Sequence, residues 1–213
     1  MTTRYFSLLG CCLIMSACST GGQRFTQSGF LGGYEQLSRS KRHGNAAFWL
    51  SADYRPAQYD NVVLAPVTWL APHRDEAVEQ RLKEELGGSL RDVLSQRYRI
   101  VDPSRVGQRT LYVRAAITNT RRTRWFVNAP AQVVSTLALG SLSILAPLQG
   151  GASVEIEVSG DANRVPVAQF SFYRNGKPWN FKGSYVAYDH ARLAFREASK
   201  QLGDVLAGQA VAK

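Results

Sequence analysis

Leu111-Tyr112-Val113-Arg114-Ala115-Ala116-Ile117-Thr118 alternates without a break: Leu111, Val113, Ala115 and Ile117 fall on one side, Tyr112, Arg114, Ala116 and Thr118 on the other. Successive side chains of an extended backbone point to opposite faces, so the stretch predicts a β-strand with one side in a core. Val154 to Ser159 repeats the pattern, with Val154, Ile156 and Val158 opposing Glu155 and Glu157. Val165 to Tyr173 adds a strand ahead of the turn signal Asn175-Gly176. Asn61 to Val67, apolar on both sides and closed by Pro66, predicts a central strand, and Tyr98 to Val101 a short one parallel to it.

Two segments carry the helical period instead. From Asp75 to Arg97, Val78, Leu82, Leu86, Leu90, Val93 and Leu94 recur at spacings of three and four, behind acids that suit the positive end of a helix dipole. Gly87 and Gly88 each weaken that helix by about 1 kcal/mol relative to alanine, and close approach to the sheet would account for them. The second helix runs from Asp189, the expected N-cap, to Leu206, along the apolar line Ala191, Ala194, Phe195, Ala198, Leu202, Val205 and Leu206. Together these elements predict an α+β fold: a mixed, largely antiparallel sheet of about five strands with two helices packed on one face, plus an extra apolar helical segment.

That extra segment is 129–149, which holds no ionisable side chain. Asn128 and Pro130 suit a helix start and Pro147 a stop; at 1.5 Å per residue, roughly 16 residues reach about 24 Å, short of the ~30 Å hydrocarbon core. Leu139 and Leu142 flank its narrow polar stripe, so a second side also needs an apolar neighbour. Just upstream, Arg121, Arg122, Arg124, Trp125 and Phe126 are cations and aromatics of the kind that settle at a membrane interface. The segment therefore predicts contact with a bilayer or a partner, with burial against the chain's own strap and loops as the alternative.

The beginning of the chain sets its compartment. Arg4 supplies a positive head, Tyr5 to Met15 a largely apolar run, and Ser16-Ala17 small residues before Cys18, the organisation of a secretory signal. Met15-Ser16-Ala17-Cys18 resembles a bacterial lipobox, which implies that Cys18 becomes the first mature residue and carries acyl chains such as palmitate on its sulfur and new amino group. Each buried CH2 contributes ~0.8 kcal/mol, so two chains anchor stably. Cys11 is a rival site, but its apolar core would be about six residues against the roughly 7 to 15 that signals use. Tyr5 to Met15 is too short to span, which takes on the order of 20 residues. Ser19, in place of the aspartate that retains such lipoproteins at the inner membrane, favours the outer membrane. The expected organisation is a signal peptide at 1–17, a lipidated N-terminus and flexible tether at 18–45, and a single periplasmic α+β domain at 46–213. Within the tether, Ser28-Gly29-Phe30-Leu31-Gly32-Gly33-Tyr34 is too apolar for a free linker and predicts a strap that docks Phe30, Leu31 and Tyr34 on the domain. The following Arg39 to His43 predicts a solvated basic loop.

The formal charge of +10 falls by one when Arg4 leaves with the signal, and a basic chain suits anionic partners. No nucleic-acid motif accompanies the export signal, so the expected partners are the membrane through the anchor, anionic lipid, peptidoglycan carboxylates or an envelope protein, with a homo-oligomer through the apolar segment as a further option. Cys11 and Cys12 leave with the signal and Cys18 is acylated, which excludes thiol nucleophiles, thiol redox chemistry and Cys-type zinc sites. His43, His73 and His190 lack metal-ligand spacing, and neither His-Glu-x-x-His nor Gly-x-Ser-x-Gly occurs. No cofactor, metal or catalytic residue is predicted. Glu155 and Glu157 share one side of a strand within reach of Arg114; a cross-strand ion pair worth a few tenths to about 1 kcal/mol is the simpler reading. The alternative makes them the general acid and base of a periplasmic hydrolase or lipid-handling enzyme.

The lipobox, Ser28-Gly29-Phe30-Leu31, Tyr59-Asp60-Asn61-Val62, Tyr98-Arg99-Ile100-Val101, Arg114-Ala115-Ala116-Ile117-Thr118 and Gly150-Gly151-Ala152-Ser153-Val154-Glu155-Ile156-Glu157 together resemble an uncharacterised proteobacterial lipoprotein family (domain of unknown function 3313 type). The resemblance covers nearly the whole mature chain and carries over no catalytic residue, because none is known for the family. The run Arg121 to Arg124 is more basic than the family pattern. The resemblance implies a small envelope lipoprotein: outer-membrane-anchored, periplasm-facing, and acting as a non-catalytic binding or assembly module.

Overall fold

A computed structural model describes residues 25, 27–40, 44–105, 108–121, 150–160, 165–175 and 188–209. The predicted signal peptide, Cys18, Arg122, Arg124, Trp125, Phe126 and the apolar segment with Leu139 and Leu142 lie outside these residues, as do His43 and Gly176.

Among the described residues, eight strands form one mixed sheet: β1 (Ser38–Arg39), β2 (Ala46–Leu50), β3 (Asn61–Leu64), β4 (Thr68–Trp69), β5 (Arg99–Ile100), β6 (Thr110–Arg121), β7 (Gly151–Gly160) and β8 (Val165–Asn175). They lie in the order β1-β2-β8-β7-β6-β3-β5, with β4 also on β6. The pairs from β1 to β6 are antiparallel, and β3–β5, β3–β6 and β4–β6 are parallel. The sheet is larger than the five or so strands that periodicity predicts. The two-residue β1 and β4 are too short to show a period, and the unbroken apolar run of β2 shows no alternation. Pro66 explains why β3 and β4 are separate. Both lie along the same edge of β6, and the proline between them has no N–H to offer the ladder. Ala65 N–H still reaches Val113 O at 2.9 Å and Leu70 N–H reaches Ile117 O at 2.9 Å.

Among the described residues, two α-helices cover one face. In α1 (Glu76–Leu94), Asp75 caps the start by accepting from the N–H groups of Ala77 and Val78, and Leu82, Leu86, Leu90 and Leu94 form a buried row. In α2 (Asp189–Leu206), the cap is Tyr188 rather than the expected Asp189. Tyr188 turns the chain through a left-handed φ of 65° without a side-chain cap, and Asp189 becomes the first helical residue, its carboxylate at the positive end of the dipole. Gly87 and Gly88 are not close approaches: a Cβ on Gly87 would sit an ordinary 3.7 Å from Val67, and one on Gly88 would meet nothing. Gly203 of α2 is the tight contact instead, since a Cβ there would lie 2.7 Å from Val93 Cγ1 of α1.

The core fills the space between helices and sheet. Leu111, Val113, Ala115 and Ile117 of β6 meet Val154, Ile156 and Val158 of β7, Phe170 and Phe172 of β8, the α1 leucines and Phe195 and Leu202 of α2. Each fully buried Val, Leu, Ile or Phe side chain among them contributes about 1.5–3 kcal/mol. All ten residues of β7 are buried, including those on the side away from the helices. The polar side of the sheet is therefore covered as well.

Candidate functional site

The alternation of β7 sends Glu155 and Glu157 to the side opposite the core, and the cover over them is the N-terminal strap. Glu155, fully buried, accepts at Oε2 from the Ser28 hydroxyl at 2.6 Å and the Tyr34 phenol at 2.8 Å, and at Oε1 from the Ser28 N–H at 3.4 Å. The Tyr34 oxygen in turn accepts from the N–H groups of Gly29 at 2.9 Å and Leu31 at 3.3 Å, so one phenol folds the strap and fastens it. Glu157 accepts at Oε1 from Arg114 Nη2 at 2.6 Å, and at Oε2 from Gln169 Nε2 at 3.3 Å and Gly32 N–H at 3.4 Å. Register dictates this pairing: Arg114 stands directly opposite Glu157 and Ala116 opposite Glu155.

The same Arg114 guanidinium lies 5.0 Å from the centroid of the Phe30 ring, a cation–π contact that adds a third tie to the strap. Leu31 is buried. Arg114 is 47% exposed at its side chain, which keeps its ion pair with Glu157 near the surface magnitude. Hydrogen bonds to a charged group contribute about 1.5–3 kcal/mol each, so the strap hydroxyls on Glu155 outweigh that pair. Tyr34 docks as the sequence predicts, whereas Ser28, Gly32 and Gln169 are partners that sequence reasoning left unassigned. The available signal was the apolar character of 28–34 inside an otherwise polar tether.

A general acid–base pair needs carboxyl groups that reach a substrate and exchange protons with it. Glu155 and Glu157 instead meet donors from their own chain and lie beneath the strap. Arg121, predicted as a surface contact, is half-buried, donates to Asn175 Oδ1, and has its pKa lowered by burial. Of the histidines, His73 Nδ1 sits 3.0 Å from Glu79. His190 is buried, its Nε2 without a hydrogen bond among the described residues, and burial lowers its pKa, countered by Asp189 and assisted by Arg174. Among the described residues no group of three or more His, Cys, Asp or Glu is placed to hold a metal ion, and no helix is long and apolar enough to cross a membrane.

A concavity of about 700 Å3 lies on the far side, between the C-terminal halves of α1 and α2. Behind it the buried Tyr54 phenol donates to Leu206 O at 3.0 Å and sits 3.1 Å from the Tyr98 phenol; burial, then the Tyr98 hydrogen bond, pushes the Tyr54 pKa well up.

No curated protein sequence matches the chain. Among solved structures, it is similar to the PelC dodecamer from Paraburkholderia phytofirmans at 14% identity and TM-score 0.44, over 74% of this chain and 97% of that one. It is similar to a hypothetical protein from Chlamydia trachomatis at 12% identity and TM-score 0.40, over 70% and 99%. A candidate lipoprotein from Caulobacter crescentus matches at 12% identity and TM-score 0.32, over 68% and 92%. The family model described as "Protein of unknown function (DUF3313)" matches residues 26–202, a span that takes in the strap, Arg114 and both glutamates, and the chain belongs to that family.

Proposed function

We propose that the chain is an outer-membrane-anchored, periplasm-facing lipoprotein whose domain is a non-catalytic binding or envelope-assembly module. The occupancy of Glu155 by the strap, and of Glu157 chiefly by Arg114 and Gln169, carries this reading, because it leaves the best acid–base candidates serving the fold. The lipobox supports acylation at Cys18. Ten residue-to-residue steps lead from Cys18 to Ser28, and fully extended they reach at most about 35 Å. A strap fastened to Glu155 thus holds that point of the domain within about 35 Å of the anchor. The apolar segment 129–149 serves as a contact for the bilayer or a partner. The strand ends that precede and follow it, Arg121 and Gly151, face each other across β6 and β7.

Palmitate labelling in cells tests the anchor. Wild-type chain incorporates label and sediments with the outer membrane, whereas Cys18→Ser is unlabelled and released into the periplasm; label retained by the variant, or a cytosolic wild type, overturns the reading. The Glu155→Gln/Glu157→Gln variant is expected to lose stability while retaining its binding partners, where an enzyme would lose its activity.

A further inference from the structure

The groove between the helices presents charges of both signs. On α2, Arg196, Lys200 and Asp204 line it at four-residue intervals, one above another on one side of the helix. On the α1 side it is lined by Asp92 and, past the helix end, Arg97. None of these five takes part in the ion pairs of the described residues. Lys200 and Asp204 are suitably spaced, but a cation N-terminal to its acid is the weaker orientation, and they stay apart. Both helices end at the groove, and their last carbonyls add negative potential.

A simple anion would meet Arg196 and Lys200 favourably and Asp92, Asp204 and the carbonyl ends unfavourably. A ligand with an adjacent cation and anion satisfies both sets, and the Val93 and Ala207 side chains offer it an aliphatic surface. The volume of about 700 Å3 falls in the range of small-ligand sites. We infer that this groove binds an amphoteric peptide, of the kind that forms the stem peptides of the cell wall. The peptide carboxylate lies against Arg196 and Lys200, and its ammonium lies toward Asp204 and the helix ends. The wall as source rests on the envelope reading above; the match of charges does not.

The test is calorimetric titration of the full-length chain in detergent micelles with a γ-linked Ala-Glu-diaminopimelate tripeptide. Saturable binding is expected, weakened about tenfold or more both by Arg196→Ala/Lys200→Ala and by acetylating the tripeptide ammonium. Arg196 and Lys200 are exposed, so the double variant keeps its fold, which its melting curve checks. Equal affinity of wild type and variant, indifference to acetylation, or no saturable heat at millimolar peptide overturns the proposal. So does binding to phosphatidylglycerol vesicles that depends on Arg196 and Lys200 with no response to the tripeptide. A silent titration with correctly labelled Cys18 sinks the groove alone, whereas a cytosolic wild type sinks the envelope reading and leaves the titration standing.

Discussion

Tyr34→Phe removes a single oxygen and tests whether the strap is fastened as described. That oxygen donates to Glu155 at 2.8 Å and accepts from two strap N–H groups. A hydrogen bond to a charged partner contributes about 1.5–3 kcal/mol. The exposed Gly29 N–H recovers water, and Glu155 keeps the Ser28 hydroxyl at 2.6 Å, so a loss of about 2 kcal/mol is expected. At roughly 2–4 °C per kcal/mol for a domain of this size, Tm falls by about 4–8 °C. Ser28→Ala/Tyr34→Phe leaves a fully buried carboxylate without either hydroxyl, so the double variant should lose more than the sum of the singles, with a coupling of about 0.5–3 kcal/mol. Melting followed by circular dichroism reports global stability, and hydrogen exchange at Gly29, Leu31 and Gly32 reports local opening. If both variants melt within about 1 °C of wild type and those amides exchange at unchanged rates, the strap is not held by Glu155 and the reasoning fails.

Gly203→Ala puts a methyl group 2.7 Å from Val93 Cγ1 and is expected to cost about 1–3 kcal/mol; Val93→Ala should restore part of the loss in a double variant, and a failure to do so in melting curves counts against the close helix contact. His190, whose pKa burial lowers below the ordinary histidine value of about 6.5, is neutral when buried and takes up a proton on unfolding. Stability should therefore drop as pH falls through about 6.5 and level off below the folded pKa, and His190→Leu should flatten that limb in urea titrations at pH 5 and 7. An equally steep variant would assign the limb to other groups. Leu139→Glu/Leu142→Glu in a Cys18→Ser background should abolish flotation with anionic liposomes, and undiminished flotation would remove the bilayer as the partner of 129–149.

The parts of the fold that read directly from sequence are those where one period runs long enough to be seen. The leucine row of α1 and the alternation of 111–118 both mark core sides, and both are buried. Short elements leave no such trace: β1 and β4 exist because β2 and β6 offer them open edges, a tertiary cause absent from the two residues themselves. The alternation of Val154 to Ser159 places the glutamates on the correct side of the strand, but suggests a solvated side. Their burial comes from a segment more than a hundred positions away, which reads as a docking strap, but nothing in Ser28 or Tyr34 says that a carboxylate is the seat. The Asp189 cap failed for a local reason, because Tyr188 adopts a left-handed conformation that aspartate chemistry does not announce.

Ser28 meets Glu155 across 127 positions of sequence. Contacts of such separation form late, after local helices and adjacent hairpins have closed the chain around them. The strap thus finds its seat only once β7 has paired with its neighbours, and until then both glutamates remain hydrated. Chain order and order of assembly run opposite ways at this surface, so a chain truncated before β7 would be expected to carry its first described residues as an unattached arm.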